Sequence, residues 1–199
     1  MNGWRLCGTL SLLLLGMSVT FAALHGWDVD GLRLVIRATA RASLALLLLA
    51  FTAGALVRMA PSAITRWQRR NRRYLGVSFA VSHVIHLAEL FALASIDREL
   101  FWTLTTPANV ILAGAAYLFI AAMTATSVDT TAAWFGPRKW RLLHLAGSWY
   151  IWVSFAVAVG KRLPLGPDYW AMFALIIPPP CIAITRRAAA RIVSANMAQ

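Results

Sequence analysis

Residues 38–57 read ATARASLALLLLAFTAGALV, and Arg41 is the only charged residue among these twenty. An α-helix of that length is about 30 Å long, close to the thickness of the hydrocarbon core of a bilayer. A helix suits that environment because all of its backbone hydrogen bonds are internal. The stretch therefore predicts a transmembrane helix.

Five other apolar runs lie along the chain, at residues 6–24, 74–96, 107–127, 140–159 and 169–185. The 199 residues are 60% hydrophobic and 13% charged, with a mean hydropathy of +0.66. A soluble domain carries about twice that charged fraction. We therefore predict an all-α fold: a single transmembrane helical domain over residues 1–199, an integral membrane bundle with about six spans. Because six spans use nearly the whole chain, we expect a subunit rather than a complete enzyme.

The first run has a second interpretation, because Arg5 precedes a Leu-rich stretch, as in a secretory signal peptide. Its apolar length is long for a signal peptide, and the small-residue cleavage pattern around Ala22 and Ala23 is weak. We predict a retained helix. Cleavage would leave five spans and would move the N-terminus.

Basic residues are concentrated in alternate loops of the predicted bundle. Arginine and lysine dominate residues 58–73, 138–141 and 186–191, where Asp129 is the only nearby acid, whereas the opposite loops balance their basic residues with acids. The acids of the opposite side are Asp28, Asp30, Asp97, Glu99 and Asp168. The strongly basic side is predicted to face the cytoplasm, with both termini there. Topology and contact with anionic membrane lipid explain the net charge of +12, so we predict no nucleic-acid partner.

The candidate functional side chains at membrane depth are His83, His86 and Glu89 in the third predicted span, and His144 near the start of the fifth. The first three share one helical face, because they are spaced by three residues. Such groups are costly in lipid and often mark function. One interpretation is that they hydrogen-bond to neighbouring helices. The other is that an imidazole ligates a haem iron in the bundle core, which we favour for His86 but not for His83 alone.

Glu89 needs a compensating partner if it is buried in the bundle. Arg33, Arg37 and Arg41 recur every four residues along one face at the outer end of the second span. We predict that Arg37 or Arg41 pairs with Glu89. The alternatives are that these arginines extend to the lipid headgroups or neutralise the propionates of a haem.

Two stretches of sequence, taken together, resemble a known family. NRRYLG at 71–76 is followed by IHL at 85–87, and TATS at 124–127 is followed by WFG at 134–136 and KWRLLH at 139–144. The pattern over roughly residues 40–185 resembles the ferric reductase-like transmembrane domain family. Within it, the pattern is similar to the haem-binding membrane subunits of bacterial methionine-sulfoxide reductase systems.

The resemblance implies b-type haem and electron transport across a bacterial inner membrane. Electrons would come from a cytoplasmic flavin reductase carrying FMN, or from quinol, and would leave to a periplasmic acceptor such as a reductase. It implies His86 as the haem ligand of the third helix and His144 as the first of two on the fifth. Where the family has the second fifth-helix histidine, this chain has Val157.

Helix geometry argues against His86 and His144 sharing one iron. His86 lies about 18 Å past Tyr74, whereas His144 lies only ~6 Å past Trp140, so their depths differ by roughly 12 Å. Two axial nitrogens of one iron are about 4 Å apart, since each Fe–N bond is about 2 Å. Three alternatives follow: a shifted fifth helix, a haem held by His86 alone or with His25, or a haem-free protein with an assembly, scaffold or transport role.

Overall fold

The computed structural model describes residues 2–177, and all of its regular elements there are helical. A 3-10 turn at Leu163–Leu165 precedes the last helix. The helices are α1 (Trp4–His25), α2 (Val29–Met59), α3 (Ala63–Ile96), α4 (Arg98–Leu104), α5 (Pro107–Ala125), α6 (Asp129–Phe135), α7 (Pro137–Gly160) and α8 (Pro167–Ile176).

Five helices, α1, α2, α3, α5 and α7, are long and apolar enough to cross a membrane. They confirm the predicted all-α fold and a helical membrane bundle. The sixth predicted span, residues 169–185, begins within α8, and its part beyond residue 177 lies outside the described residues.

The helices α2 and α3 begin about ten residues before the apolar runs that predicted them. The Asp28 side chain caps α2 by accepting from the Gly31 backbone N–H at 2.9 Å. Ser62 and Thr65 form a reciprocal capping box at the start of α3. Hydropathy detects the part of a helix that faces lipid, whereas caps and arginines with good helix propensity extend it into the interface.

Helix α3 packs along α2, α1 contacts both, and α5 contacts both α3 and α7. The face of α3 toward α2 and α1 combines apolar side chains such as Leu75 with buried polar ones. Its buried polar residues are Gln68, Asn71, Ser78, Ser82 and Glu89. The Gln68 amide donates to the Leu49 carbonyl at 2.8 Å, and the hydroxyls of Ser43 and Ser82 are 2.7 Å apart. Because lipid is as apolar as leucine, such interhelical hydrogen bonds help to hold the bundle together.

The close contact between α5 and α7 depends on Gly147. A Cβ atom there would overlap Met123 Sδ and lie 3.1 Å from the Phe119 ring. We expect Gly147→Leu to lower the free energy of unfolding by about 1–3 kcal/mol, as overpacking does. Thermal unfolding in detergent measures this, with Gly114→Ala as the control because a Cβ at Gly114 has no atom within 4 Å. An unchanged midpoint for Gly147→Leu would contradict the packing.

Candidate functional site: the intramembrane histidines

His86 belongs to a chain of hydrogen bonds that joins the three N-terminal helices. Its Nδ1 lies 3.0 Å from Thr39 Oγ1 of α2. The Thr39 hydroxyl donates to Oε2 of Glu89 at 2.6 Å, and the Ser18 hydroxyl of α1 donates to Oε1 at 3.0 Å. Thr39, Ser18 and Glu89 are all buried. The Glu89 carboxylate, which accepts a hydrogen bond from each of two hydroxyl groups, is therefore connected to the imidazole through Thr39.

Proton counting along this chain indicates the tautomer of His86. The Thr39 hydroxyl has one hydrogen, and its shortest contact is the one to Glu89 at 2.6 Å, against 3.1 and 3.2 Å to the carbonyls of Val35 and Ile36. A hydroxyl that donates to Glu89 has only lone pairs left for the imidazole. We infer that His86 donates through Nδ1–H and that its Nε2 carries a lone pair.

Glu89 has hydroxyl partners, so the prediction that Arg37 or Arg41 pairs with it is wrong. Arg41 instead lies 3.5 Å from Asp168. Thr39 faces α3, and residues two positions away on either side are turned by about 200° around the helix. The arginines do share one face of α2, but it is the face opposite Thr39.

His83 sits one turn before His86, with the two ring centroids 5.9 Å apart. Aromatic rings of Phe79, Tyr117 and Phe155 surround it at 4.5 to 5.6 Å. Its Nδ1 is buried and has no hydrogen-bond partner among the described residues. His83 therefore packs among aromatic rings beside His86.

His144 lies apart from this chain, near the start of α7. Its ring stacks on Trp140 with the centroids 4.1 Å apart, and its Nε2 is 3.1 Å from Thr126 Oγ1. It lines a cavity that reaches Gly76 and Phe79 of α3 but not His86. His86 is seven residues beyond Phe79, about 10 Å along the helix axis. The structure thus brings His83 and His86 together and leaves His144 elsewhere.

The two remaining positions, His25 and Val157, do not supply a second iron ligand beside His86 either. His25 ends α1 with an exposed side chain whose ring neighbours Phe21. Val157 is 49% exposed on α7. Among residues 2–177, no group of three or more His, Cys, Asp or Glu side chains is arranged to hold a metal ion.

Comparison of the chain with protein-family models, curated proteins and solved structures found no match.

Sequence reasoning missed Thr39 and Ser18, the residues that connect His86 and Glu89 to the neighbouring helices. A signal was present, since Thr39 and Ser43 are polar residues four apart within an otherwise apolar span. Intramembrane hydroxyls are common in helix contacts, so their spacing alone does not single out a site.

Proposed function

We propose that this chain is a membrane-embedded b-type haem protein that passes electrons across the inner membrane to a periplasmic acceptor, with His86 as its one histidine ligand to iron. The observation that carries the proposal is the Thr39 hydrogen bond to His86 Nδ1. Metal-binding histidines typically donate their other ring N–H to a carboxylate or similar partner, which orients the ring and raises its basicity. Here Thr39 connects the ring to the carboxylate of Glu89.

The residues around His86 fit a haem because they can supply a nitrogen ligand to its iron. With Nδ1–H donated to Thr39, the Nε2 of His86 is the nitrogen left to bind iron, and the rings of Phe79 and Phe155 beside His83 form an apolar surround. When bound, haem supplies a one-electron couple whose potential depends on its axial ligand and on the hydrogen bonds of that ligand. The chain holds and orients the imidazole through Thr39, while Glu89 offsets positive charge near it. His144 does not suit the same iron, because it lines a cavity that does not reach His86.

The distribution of charge supports an orientation, and the family resemblance suggests the partners. The connection from α2 to α3 and the start of α7 carry the arginines of one end, whereas Asp28, Asp97 and Asp168 lie at the other. Under the positive-inside rule the arginine-rich end faces the bacterial cytoplasm, with the termini on that side. A cytoplasmic flavin reductase carrying FMN, or quinol, would be the donor, and a periplasmic reductase the acceptor.

An absorption spectrum of the purified protein, produced in cells with ample haem, tests the proposal. We expect a Soret band, with α and β bands that sharpen on reduction with dithionite. A colourless protein would contradict haem binding. That result would favour the second candidate, a haem-free membrane protein with an assembly, scaffold or transport role, which Val157 and the separation of His144 from His86 support.

A further inference from the structure

A basic cavity of about 330 Å³ lies between α2, α3, α5 and α7, at the arginine-rich end of the bundle. Its volume is in the range of small-molecule sites. Four arginines of α3 line it: Arg69, Arg70, Arg72 and Arg73.

The charge of the basic cavity is largely uncompensated. Asp129 is its one acidic lining residue, and it pairs with Arg73 at 2.7 Å. Within residues 2–177, Arg69, Arg70 and Arg72 form no ion pair, and Arg73 Nε is buried without a hydrogen-bond partner. Arginine forms its strongest hydrogen bonds with phosphate and carboxylate, so this end of the cavity suits an anion.

Much of the rest of the basic cavity is apolar. Its walls away from the arginines include Phe51, Phe79, Ile120 and Ile151. Thr124 and Ser148 add two hydroxyls on the walls formed by α5 and α7. A ligand that fits has an anionic group at one end and a hydrocarbon part at the other.

We propose that the basic cavity binds an anionic phospholipid, with the headgroup phosphate on Arg69 and Arg72 and the start of an acyl chain on the apolar walls. The cavity lies at the arginine-rich end of the membrane spans. Anionic lipids are concentrated in the cytoplasmic leaflet, where they attract basic residues. It is a recess between helices rather than a flat surface, which suits a lipid better than the surface of a partner protein.

This assignment gives His144 a role distinct from iron ligation. Trp140 covers one face of its ring, and Thr126 Oγ1 lies 3.1 Å from its Nε2. The Thr126 hydroxyl itself donates to the Ala122 carbonyl at 2.8 Å, so His144 donates to Thr126 through Nε2–H. The ring is a fixed wall of the lipid site.

Lipid titrations of the purified full-length protein in neutral detergent test the proposal, with the thermal unfolding midpoint as the readout. Phosphatidylglycerol should raise the midpoint of the wild type, since a ligand that binds only the folded state stabilises it. The Arg69→Gln/Arg72→Gln variant should need about 100-fold more lipid, about tenfold for each arginine. The single variant Arg69→Gln, expected at about tenfold, provides the test if the double variant does not fold.

The matched control is Arg66→Gln/Arg138→Gln, which removes the same charge from the same end of the bundle but outside the cavity lining. It should respond to lipid as the wild type does. An equal loss in both double variants would overturn the proposal, as would equal stabilisation by phosphatidylcholine or by inorganic phosphate at the same concentration. Loss of the Soret band in His144→Ala would also overturn it, by assigning the cavity to haem.

Discussion

His86→Ala is expected to produce a folded protein that has lost its haem. The substitution removes the imidazole whose Nδ1 bonds to Thr39 and whose Nε2 we infer to carry the lone pair for iron. Loss of the group that hydrogen-bonds to a metal ligand costs about 10–100-fold in metal affinity, so loss of the ligand itself should cost at least about 100-fold. The haem-to-protein ratio of the purified variant, taken from its Soret absorbance, measures the effect.

Two other histidine variants are the matched controls. His144→Ala should retain the wild-type haem content, because the structure places His144 at the basic cavity. His83→Phe should also retain the wild-type haem content, since a phenyl ring replaces an imidazole that packs among aromatic rings. Normal haem content in His86→Ala together with loss in either control would assign iron ligation to a different residue.

Thr39→Val is expected to have the second largest effect, because one hydroxyl serves both His86 and Glu89. Valine keeps the shape of threonine but leaves both groups without this partner. We expect the haem affinity to fall about 10–100-fold and the midpoint potential of the remaining haem to shift. In the haem-free form, the free energy of unfolding should fall by roughly 1–3 kcal/mol, the cost of an unsatisfied buried polar group.

Thr39→Ser is the matched control for this prediction, since it keeps the hydroxyl and should preserve affinity and potential. A double-mutant cycle with Glu89→Gln adds a test of connection. Because Thr39 bonds directly to Glu89, the effects of the two substitutions should not add. A Thr39→Val protein with the wild-type potential and haem content would show that the hydrogen bond has no part in ligation.

The membrane bundle was predictable from sequence because lipid imposes a long, uninterrupted apolar run on each span. The apolar run at 38–57 therefore predicted α2 without information on the neighbouring helices. Its true start at Val29 was missed, because the first turns carry Arg33 and Arg37 and depend on the Asp28 cap rather than on hydropathy. Residues 97–99, predicted to lie in a loop between spans, partly form the short helix α4, which Asp97 caps.

The candidate site was predictable only along a single helix. Spacing correctly placed His83 and His86 as neighbours on α3, and burial of Glu89 was anticipated. The partners across helices were not, because the rotation of α2 about its axis decides whether Thr39 or Arg41 faces Glu89. Helix packing sets that rotation, and no local pattern encodes it.

Electron paramagnetic resonance of the oxidised wild-type protein tests most directly whether His86 is the one histidine ligand. The chain has four histidines, all of them described, and the structure brings none of the other three opposite His86. We predict a ferric haem without the low-spin signal of two imidazoles, and we predict that added imidazole creates that signal. A bis-imidazole signal in the untreated protein would contradict a single histidine ligand.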